Sequence, residues 1–316
     1  MKKVIVTGGA GFIGSNLVKA FVADGFDVHV VDNFAGGRME GRLCTDATLH
    51  ETDIRDLKAL FKICEGAEYI FHLAALPRVQ DSIDRPIETN DVNVNGTLAV
   101  LEAARHAGVK KVVFSSSAAV YGDQPVLPLS EDMPASPKSP YGLHKYLGER
   151  SMQLWSELYG VPTVSLRYFN VYGPGFDPNG AYALVVGKFL DQRKKGLPLP
   201  IAGDGSNTRD YVHVNDVVRA NILAAQNPGI ARGEVFNIGA GVETSVNEIA
   251  AHVEGPVRHV APRIEPARCV ADVRRAKNTL GWTSTIPLER GIADLKAQLG
   301  LVSKIPVRRR LENAVR

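Results

Sequence analysis

The feature that most constrains the fold of this chain is a glycine-rich turn close to the N-terminus. A β-branched apolar run, Lys3–Thr7, precedes glycines at positions 8, 11 and 14, and an amphipathic segment begins at Phe12. The run predicts a buried parallel strand, and the segment predicts a helix. Glycine lets backbone amides approach a ligand closely, and a helix N-terminus offers free N–H groups to a diphosphate. The stretch therefore predicts a dinucleotide-binding turn at Gly8, Gly11 and Gly14, although such glycines can also serve only a tight strand-to-helix turn.

An acidic residue at the end of the second predicted strand strengthens the dinucleotide interpretation. Asp32 ends the segment Asp27–Asp32 and lies eighteen residues after Gly14. A carboxylate at this distance can hold the adenosine ribose and would repel a 2′-phosphate, so the pattern favours NAD over NADP. The cation Arg38 lies nearby and weakens that argument against NADP.

The bulk composition excludes several classes of protein. The chain has 316 residues, 45% apolar residues and a net charge of only +3, which indicates ample core and gives no argument for nucleic-acid binding. Its three cysteines are too widely spaced for a disulfide framework or a metal motif, and they suggest a reducing, cytoplasmic location. No signal peptide precedes the first strand, and no apolar run approaches the ~20 residues of a membrane helix. The basic cluster Arg308–Arg310 is expected to be a solvated end.

Strands alternate with helices through the first half of the chain, which predicts an α/β fold with a Rossmann-type doubly wound parallel sheet. After the strand that ends at Asp32 we expect a loop, a helix to about Cys64 and a strand that exits at Leu73–Ala75. The later predicted elements are a helix over about 86–107, a strand over 111–117, a helix over 139–159, a strand over 163–167, a helix over about 182–195 and a helix from 214. Turn-forming residues follow position 170. We therefore expect a dinucleotide domain over 1–169 plus about 210–232, and a smaller α/β substrate lobe over about 170–209 and 233–316.

A tyrosine and a lysine one helical turn apart carry the chemistry. Tyr141 and Lys145 share one helix face, and Ser117 ends a strand that should point at the same crevice. A phenol titrates near ~10, and an adjacent ammonium, helped by a cationic nicotinamide, should lower its pKa enough for a general base. The Ser117 hydroxyl could bind a substrate oxygen. On its own, the Tyr-x-x-x-Lys spacing could also be incidental on a surface helix.

Together, the glycine turn, Tyr141 with Lys145, and Ser117 resemble the extended short-chain dehydrogenase/reductase superfamily over essentially the whole chain. Several further segments look like the UDP-glucose 4-epimerase group: 114–125, 139–142, 167–170 and 203–214. The segment Asn179–Leu184 is similar to the branch that acts on N-acetylhexosamine nucleotides.

This resemblance implies a mechanism without net redox change. Tyr141 takes the proton of the sugar 4-hydroxyl, a hydride passes from C4 to tightly held NAD⁺, and the 4-keto sugar turns over before the hydride returns to its other face. Ser117 holds the 4-oxygen, and Lys145 also binds the nicotinamide ribose. The resemblance further implies a homodimer formed through the helices around Thr97 and Tyr146.

The resemblance also implies positions for cofactor and substrate contacts. The implied cofactor-binding residues are Gly8, Gly11, Phe12, Ile13, Gly14, Asp32, Asn33, Asp53, Ile54, Leu73, Ala74, Ala75, Asn93, Ser115, Tyr141 and Lys145. The implied substrate-binding residues are Arg78, Ser82, Ser117, Tyr141, Asn170, Ala183, Leu184, Arg209, Arg263 and Cys269. Arginine suits a diphosphate because its planar fork binds two oxygens. Arg268 is the alternative to Arg263, since the spacing from Arg263 to Asp272 is one residue shorter than the family pattern. No metal is implied.

Two features bear on the reaction and on the choice of sugar. Ala118 and Ala119 stand where the related dehydratases and decarboxylases carry acidic residues, and they cannot transfer protons. Cys269 matches the family's gatekeeper position, where a small residue leaves room for a 2-acetamido group; it can also be an ordinary buried cysteine. We therefore expect UDP-Glc/UDP-Gal and UDP-GlcNAc/UDP-GalNAc as substrates.

Arg78 keeps a second interpretation open, a 4-epimerase that acts on a UDP-uronate. It stands in a segment where many relatives differ, and its guanidinium could bind the carboxylate of a UDP-uronate. Against this, related uronate epimerases carry an arginine where this chain has Gly175. A net nucleotide-sugar oxidoreductase and a non-catalytic NAD-binding protein are the remaining alternatives.

Overall fold

A computed structural model describes residues 1–177, 185–262 and 267–301 of the chain. Its strands are β1 (Lys3–Thr7), β2 (Asp27–Asp32), β3 (Thr48–Glu51), β4 (Ala67–His72), β5 (Lys111–Ser117), β6 (Thr163–Tyr168), β7 (Asn170–Tyr172), β8 (Leu199–Ala202), β9 (Thr208–Arg209), β10 (Tyr211–His213), β11 (Arg232–Ile238), β12 (Thr244–Ser245) and β13 (Val257–Val260). Its α-helices are α1 (Phe12–Ala23), α2 (Leu57–Cys64), α3 (Val79–Asp84), α4 (Pro86–Asn90), α5 (Gly96–Ala107), α6 (Pro140–Tyr159), α7 (Val185–Lys194), α8 (Val214–Gln226), α9 (Val246–Val253) and α10 (Leu288–Gln298).

Seven parallel strands form the main sheet in the order β11-β6-β5-β4-β1-β2-β3. The chain starts at β1 and builds outward in both directions, so β1 and β4 flank the point where the strand order reverses. Central strands such as β6 are buried along their whole length, as expected for a sheet covered on both faces. The predicted Rossmann-type α/β fold is therefore confirmed.

Helices cover both faces of the sheet. On one face, Leu17 and Phe21 of α1 pack with Val217 of α8 and with Trp282. The core on the other face is built from α2, α5 and α6, including Leu60, Leu101 and Met152. These two apolar layers fix the carboxyl ends of β1, β2, β4 and β5 along one edge of the sheet, which is where ligands bind in such folds.

A smaller lobe follows β6 in the chain. Its core joins α7, α9 and α10 through residues such as Phe189, Ile249 and Ile292. Three two-stranded sheets support it: β7 with β10, β8 with β13, and β9 with β12. Within the described parts of the chain, no helix combines the length and the apolar character needed to cross a lipid bilayer.

The structure departs from the sequence predictions at three places. Strand β3 was expected to be a loop; it lies at the sheet edge and keeps polar, partly exposed side chains such as His50, so it lacks an apolar signal. The single helix expected over 86–107 is divided by a π-helical turn, Asp91–Asn95. Strand β11 extends the main sheet to Ile238, beyond residue 232 where the predicted second segment of the dinucleotide domain ends. The division into domains otherwise stays a prediction.

Candidate active site

A cavity of about 370 Å³ lies along the carboxyl edge of the main sheet. Its walls come from the turn after β1, the end of β2, the loop after β4, the end of β5 and the first turns of α6. The predicted residues that line it are Gly8, Gly11, Phe12, Ile13, Gly14, Asp32, Asn33, Ile54, Leu73, Ala74, Ala75, Ser115, Ser117, Tyr141 and Lys145. The volume lies within the usual range for small-molecule sites, about 300–1,000 Å³.

The glycine turn is packed so closely that it excludes side chains. Gly8 has a φ of +71°, and a Cβ at this position would lie 2.6 Å from the amide nitrogen of Ala74. A Cβ at Gly14 would lie 2.2 Å from the carbonyl oxygen of Gly8. The turn is closed by a 3.0 Å hydrogen bond from the Gly11 amide to the same carbonyl. The result is a bare backbone cradle at the N-terminus of α1, which fits the diphosphate of a dinucleotide.

Asp32 is held in the cavity wall by backbone amides. Its carboxylate accepts hydrogen bonds from the amide nitrogens of Ala10, at 3.0 Å, and Phe34, at 2.8 Å. Burial raises the pKa of Asp32, and these two hydrogen bonds oppose that rise. Arg38 does not line the cavity; it pairs with Glu40, with 3.2 Å between Nε and Oε1.

Ser117, Tyr141 and Lys145 line the same cavity as the glycine turn. Tyr141 and Lys145 are buried, on one face of α6. Lys145 Nζ donates a 2.6 Å hydrogen bond to the carbonyl of Ser115 and lies 5.9 Å from the centroid of the Tyr141 ring. The Ser117 hydroxyl accepts a 3.2 Å hydrogen bond from the Ala119 amide. A phenol, a lysine amine and a hydroxyl thus line one cavity.

The expected fall in the pKa of Tyr141 depends on a cationic nicotinamide as well as on Lys145, and the protein by itself opposes that fall. Burial raises the pKa of Tyr141 to about 12, and a hydrogen bond with Ser117 opposes that rise. Burial also lowers the pKa of Lys145 to about 7, partly offset by the carboxylate of Glu149. Spacing along α6 predicted the pair correctly but carried no information about desolvation, which dominates both groups.

Three residues predicted to contact a ligand hydrogen-bond to elements around the cavity, and their ligand contacts stay predictions. Asn93, in the π-helical turn, accepts a 2.8 Å hydrogen bond from the Leu76 amide and donates to the Leu76 carbonyl at 3.1 Å. Ser82 accepts a 3.0 Å hydrogen bond from the Tyr141 amide. Asp53 accepts a 2.9 Å hydrogen bond from the side chain of Asn33, and its hydrogen bonds with Arg55 lower its pKa to about 2.

The predicted sugar-diphosphate residues lie in the lobe and do not line this cavity. Asn170 donates from Nδ2 to the carbonyl of Asp210 at 3.2 Å, and Arg209 donates to the carbonyl of Thr208 at 2.8 Å. Burial raises the pKa of the Cys269 thiol to about 11, and the nearby charge of Arg209 opposes that rise.

Five further predicted substrate-binding residues, counting the alternative Arg268, are exposed or lie outside the described residues. Arg268 is exposed and donates from Nε to Glu243 Oε1 at 2.9 Å. Arg78 is exposed and lies directly after Pro77, which lines the cavity. Ala183, Leu184 and Arg263 lie outside the described residues, as does the whole segment 179–184 that resembles the N-acetylhexosamine branch.

Sequence reasoning missed a buried ion pair beneath the site. Glu149 accepts from Arg167 at 2.8 Å (Nε to Oε1) and 2.7 Å (Nη2 to Oε2), and both side chains are buried. Glu149 also accepts a 2.5 Å hydrogen bond from Ser116, whose neighbours Ser115 and Ser117 line the cavity. The position of Glu149, one turn after Lys145 on α6, was the available signal. Among the residues the structure describes, no cluster of His, Cys, Asp or Glu side chains could hold a metal ion.

A comparison with protein families adds an independent finding. Residues 4–239 match the model of the NAD dependent epimerase/dehydratase family. The matched segment contains the glycine turn, Ser117, Tyr141 and Lys145.

Individual relatives match over nearly their whole length. A UDP-glucose 4-epimerase of Mycolicibacterium smegmatis is 41% identical over 309 residues, which cover 92% of this chain and 96% of the relative. Among solved structures, the UDP-glucose 4-epimerase of Thermotoga maritima with UDP-glucose has a TM-score of 0.87 and 38% identity, covering 95% of this chain and 98% of that one. The UDP-N-acetylglucosamine 4-epimerase of Methanobrevibacter ruminantium, in complex with UDP-N-acetylmuramic acid, has a TM-score of 0.86 and 33% identity, covering 94% and 99%.

Proposed function

Since this chain belongs to the NAD dependent epimerase/dehydratase family, we propose that it is a UDP-hexose 4-epimerase with tightly held NAD. Its substrates are UDP-Glc/UDP-Gal and UDP-GlcNAc/UDP-GalNAc. The single observation that carries the proposal is that Ser117, Tyr141 and Lys145 line the same cavity as the glycine turn and Asp32. Hydride chemistry needs these two sets of groups to share one ligand space.

Two parts of the cavity wall fit NAD: the glycine cradle and the carboxylate of Asp32. The bare backbone between Gly8 and Gly14 receives the diphosphate, and the oriented carboxylate of Asp32 receives the adenosine ribose. When bound, NAD supplies reversible hydride acceptance from sugar C4 and a positive charge that favours the Tyr141 phenolate.

Each residue of the catalytic set has one role in the proposal. Tyr141 removes the proton of the sugar 4-hydroxyl and later returns it. Ser117 holds the 4-oxygen in both orientations of the sugar. Lys145 stabilises the phenolate through its ammonium charge, and this matters because burial alone raises the pKa of Tyr141 to about 12.

The surroundings of Ser117 support epimerisation over the family's eliminations. Ala118 and Ala119 form a short 3-10 turn directly after β5. Neither methyl side chain can transfer a proton at a sugar carbon next to the reacting centre. Dehydration and decarboxylation are therefore disfavoured.

Substrate breadth is proposed from the lobe. Cys269 is small, partly buried and electrostatically coupled to Arg209, one of the proposed diphosphate-binding residues. A small side chain at this position leaves room for a 2-acetamido group. Arg78, Asn170 and Arg209 are the proposed contacts for the remainder of the nucleotide sugar, with Arg263 proposed from the sequence alone.

We also propose a homodimer. On α6, Leu143, Leu147, Leu154 and Leu158 are exposed at helical spacing along one face. Neighbouring α3 and α4 expose Ile83 and Ile87. Exposed apolar side chains that are aligned on one helix face are typical of an interface.

The dimer is tested by light scattering after size exclusion. The double variant L154E/L158E should be monomeric, because two carboxylates would be desolvated in the interface. V242E, at an exposed valine of the lobe, is the matched control and should remain dimeric. A monomeric parent protein would overturn the proposal.

The free cysteines Cys44, Cys64 and Cys269 support the proposal of a cytoplasmic location, because disulfides are rare in that reducing compartment.

The reaction itself is tested with UDP-galactose in D₂O. Because the C4 hydrogen leaves and returns as hydride, the UDP-glucose formed should keep protium at C4. Deuterium at C4 would show a deprotonation at carbon and contradict the proposal, and net NADH accumulation would favour the oxidoreductase alternative. The proton NMR spectrum of the product distinguishes these outcomes.

A further inference from the structure

Arg42 is a cofactor-cleft residue that neither the catalytic set nor the glycine turn accounts for. It ends a short 3-10 turn, Glu40–Arg42, and is only 9% exposed, which is unusual for an arginine on a surface loop. Its side chain lines the same cavity as Asp32. Position 42 carries no recognisable motif, so only the fold brings it to the site.

Arg42 connects two distant parts of the chain. Its Nε donates a 2.9 Å hydrogen bond to the carbonyl of Gly175, in the loop 173–177 that follows β7. Asp177 of that loop also lines the cavity. The carboxylates of Asp177 and Asp32 both attract Arg42 electrostatically and oppose the effect of burial on its pKa.

The same loop has a second attachment to the cofactor side. The Asn16 side chain donates from Nδ2 to the carbonyl of Pro174 at 3.1 Å and to the carbonyl of Phe12 at 2.9 Å. Asn16 lies on α1, in the turn that follows the glycine cradle. Lys19 of the same helix donates to the carbonyl of Gly41 at 3.0 Å and so fixes the 3-10 turn.

We propose that Arg42 is a cofactor-retaining residue: with Asn16 it holds the loop 173–177 against the adenosine side of the cleft and slows the release of a bound adenine dinucleotide. The clasp is defined as Asn16, Arg42 and the loop 173–177. Arg42 and Asp177 line the same cavity as the glycine cradle and Asp32, so a dinucleotide that extends from the cradle to Asp32 would lie beside the Arg42 attachment. The inference rests on the proposed function, since an epimerase must keep its NAD through both hydride transfers.

The test measures NAD release directly. Parent protein and the variants R42A, R42K and N16A are loaded with NAD, desalted, and sampled over time by ultrafiltration with chromatographic quantification of free NAD. R42A should release NAD at least about 10-fold faster than the parent, the scale of one charge-assisted hydrogen bond. N16A should release it a few-fold faster, because its hydrogen bonds are neutral.

R38A is the matched control, because Arg38 is on the same loop but outside the cavity wall; it should release NAD at the parent rate. If R42A does not fold, as judged by thermal unfolding, R42K carries the test, since lysine keeps the charge and the stem but not the Nε donor. Equal release rates for the parent and the folded Arg42 variants would overturn the clasp.

The outcome for the clasp is separable from the outcome for the reaction. A parent protein that holds NAD but converts no UDP-sugar would contradict the proposed function, while the ratio of release rates would still decide the role of Arg42. A parent protein that takes up no NAD would overturn both.

Discussion

The proposed cofactor side and the proposed substrate side of this site are built in different ways. The cofactor side uses backbone: the cradle at Gly8 and Gly14 has no space for a Cβ. The substrate side uses side chains on segments that are distant in sequence, and Asp210 holds these segments together. Its buried carboxylate accepts hydrogen bonds from the amides of Ala240, at 2.6 Å, and Gly241, at 2.9 Å, and from that of Ala271, at 3.0 Å.

This difference determines which substitutions each side of the site can accept. A site made of close-packed backbone excludes nearly every substitution, so its ligand class is fixed. A site made of side chains on an anchored frame can take a new residue while the frame stays intact. We therefore expect changes on the cofactor side to affect turnover and NAD, and changes on the substrate side to affect the choice of sugar.

The largest expected effect is on turnover at Tyr141. Y141F keeps the ring in its buried position but removes the base, so kcat should fall by at least about 100-fold, the usual scale for lost acid–base assistance. The retained NAD content of the purified variant is the control for folding. Turnover close to that of the parent would show that Tyr141 is not the base.

The next effect is on stability and on the pH profile, at Glu149. E149Q leaves the buried guanidinium of Arg167 without its anion, so the free energy of unfolding should fall by about 3–5 kcal/mol in denaturant titration. The Glu149 carboxylate also raises the pKa of Lys145. Its loss lowers that pKa further, the ammonium is lost at a lower pH, and the alkaline limb of kcat should move to lower pH.

A double variant separates these two effects of Glu149. In E149Q/R167M no unpaired charge is buried, so much of the stability should return. The shifted pH profile should remain, because the anion that acts on Lys145 is still absent. A profile that returns to that of the parent together with stability would show that Glu149 is only structural.

The smallest expected effect is a change of substrate preference at Cys269. C269Y should lower the rate with UDP-GlcNAc at least about 10-fold relative to UDP-Glc, because the larger side chain fills the space for the acetamido group. C269S preserves the size of the side chain and should keep the ratio of the parent. Conversion of UDP-GlcNAc by C269Y at the parent rate would remove the proposed gatekeeper.

Sequence predicted the parts of the molecule that depend on local spacing. The glycine turn, Asp32 at the end of β2, and the one-turn separation of Tyr141 and Lys145 all reached the same cavity. Each of these features depends on a few residues that are close in sequence and lie within one strand, turn or helix. The doubly wound sheet followed from the alternation of apolar runs and helical segments.

The features that sequence missed depend on contacts between distant segments. Arg42 reaches the cleft only because the loop after β7 lies beside it. The Glu149–Arg167 pair joins α6 to β6. The direction of the pKa shift at Tyr141 depends on how deeply the phenol is buried, which no spacing along α6 encodes.

The most direct test of the central claim is proton NMR of UDP-Glc, UDP-GlcNAc and UDP-GlcA, each incubated with the purified protein and no added NAD. The 4-epimers of UDP-Glc and UDP-GlcNAc should appear, because the protein carries its own cofactor and Cys269 admits both sugars. Conversion of UDP-GlcA alone would favour the uronate reading and a role for Arg78. Absence of any epimer, even after NAD is supplied, would contradict the account.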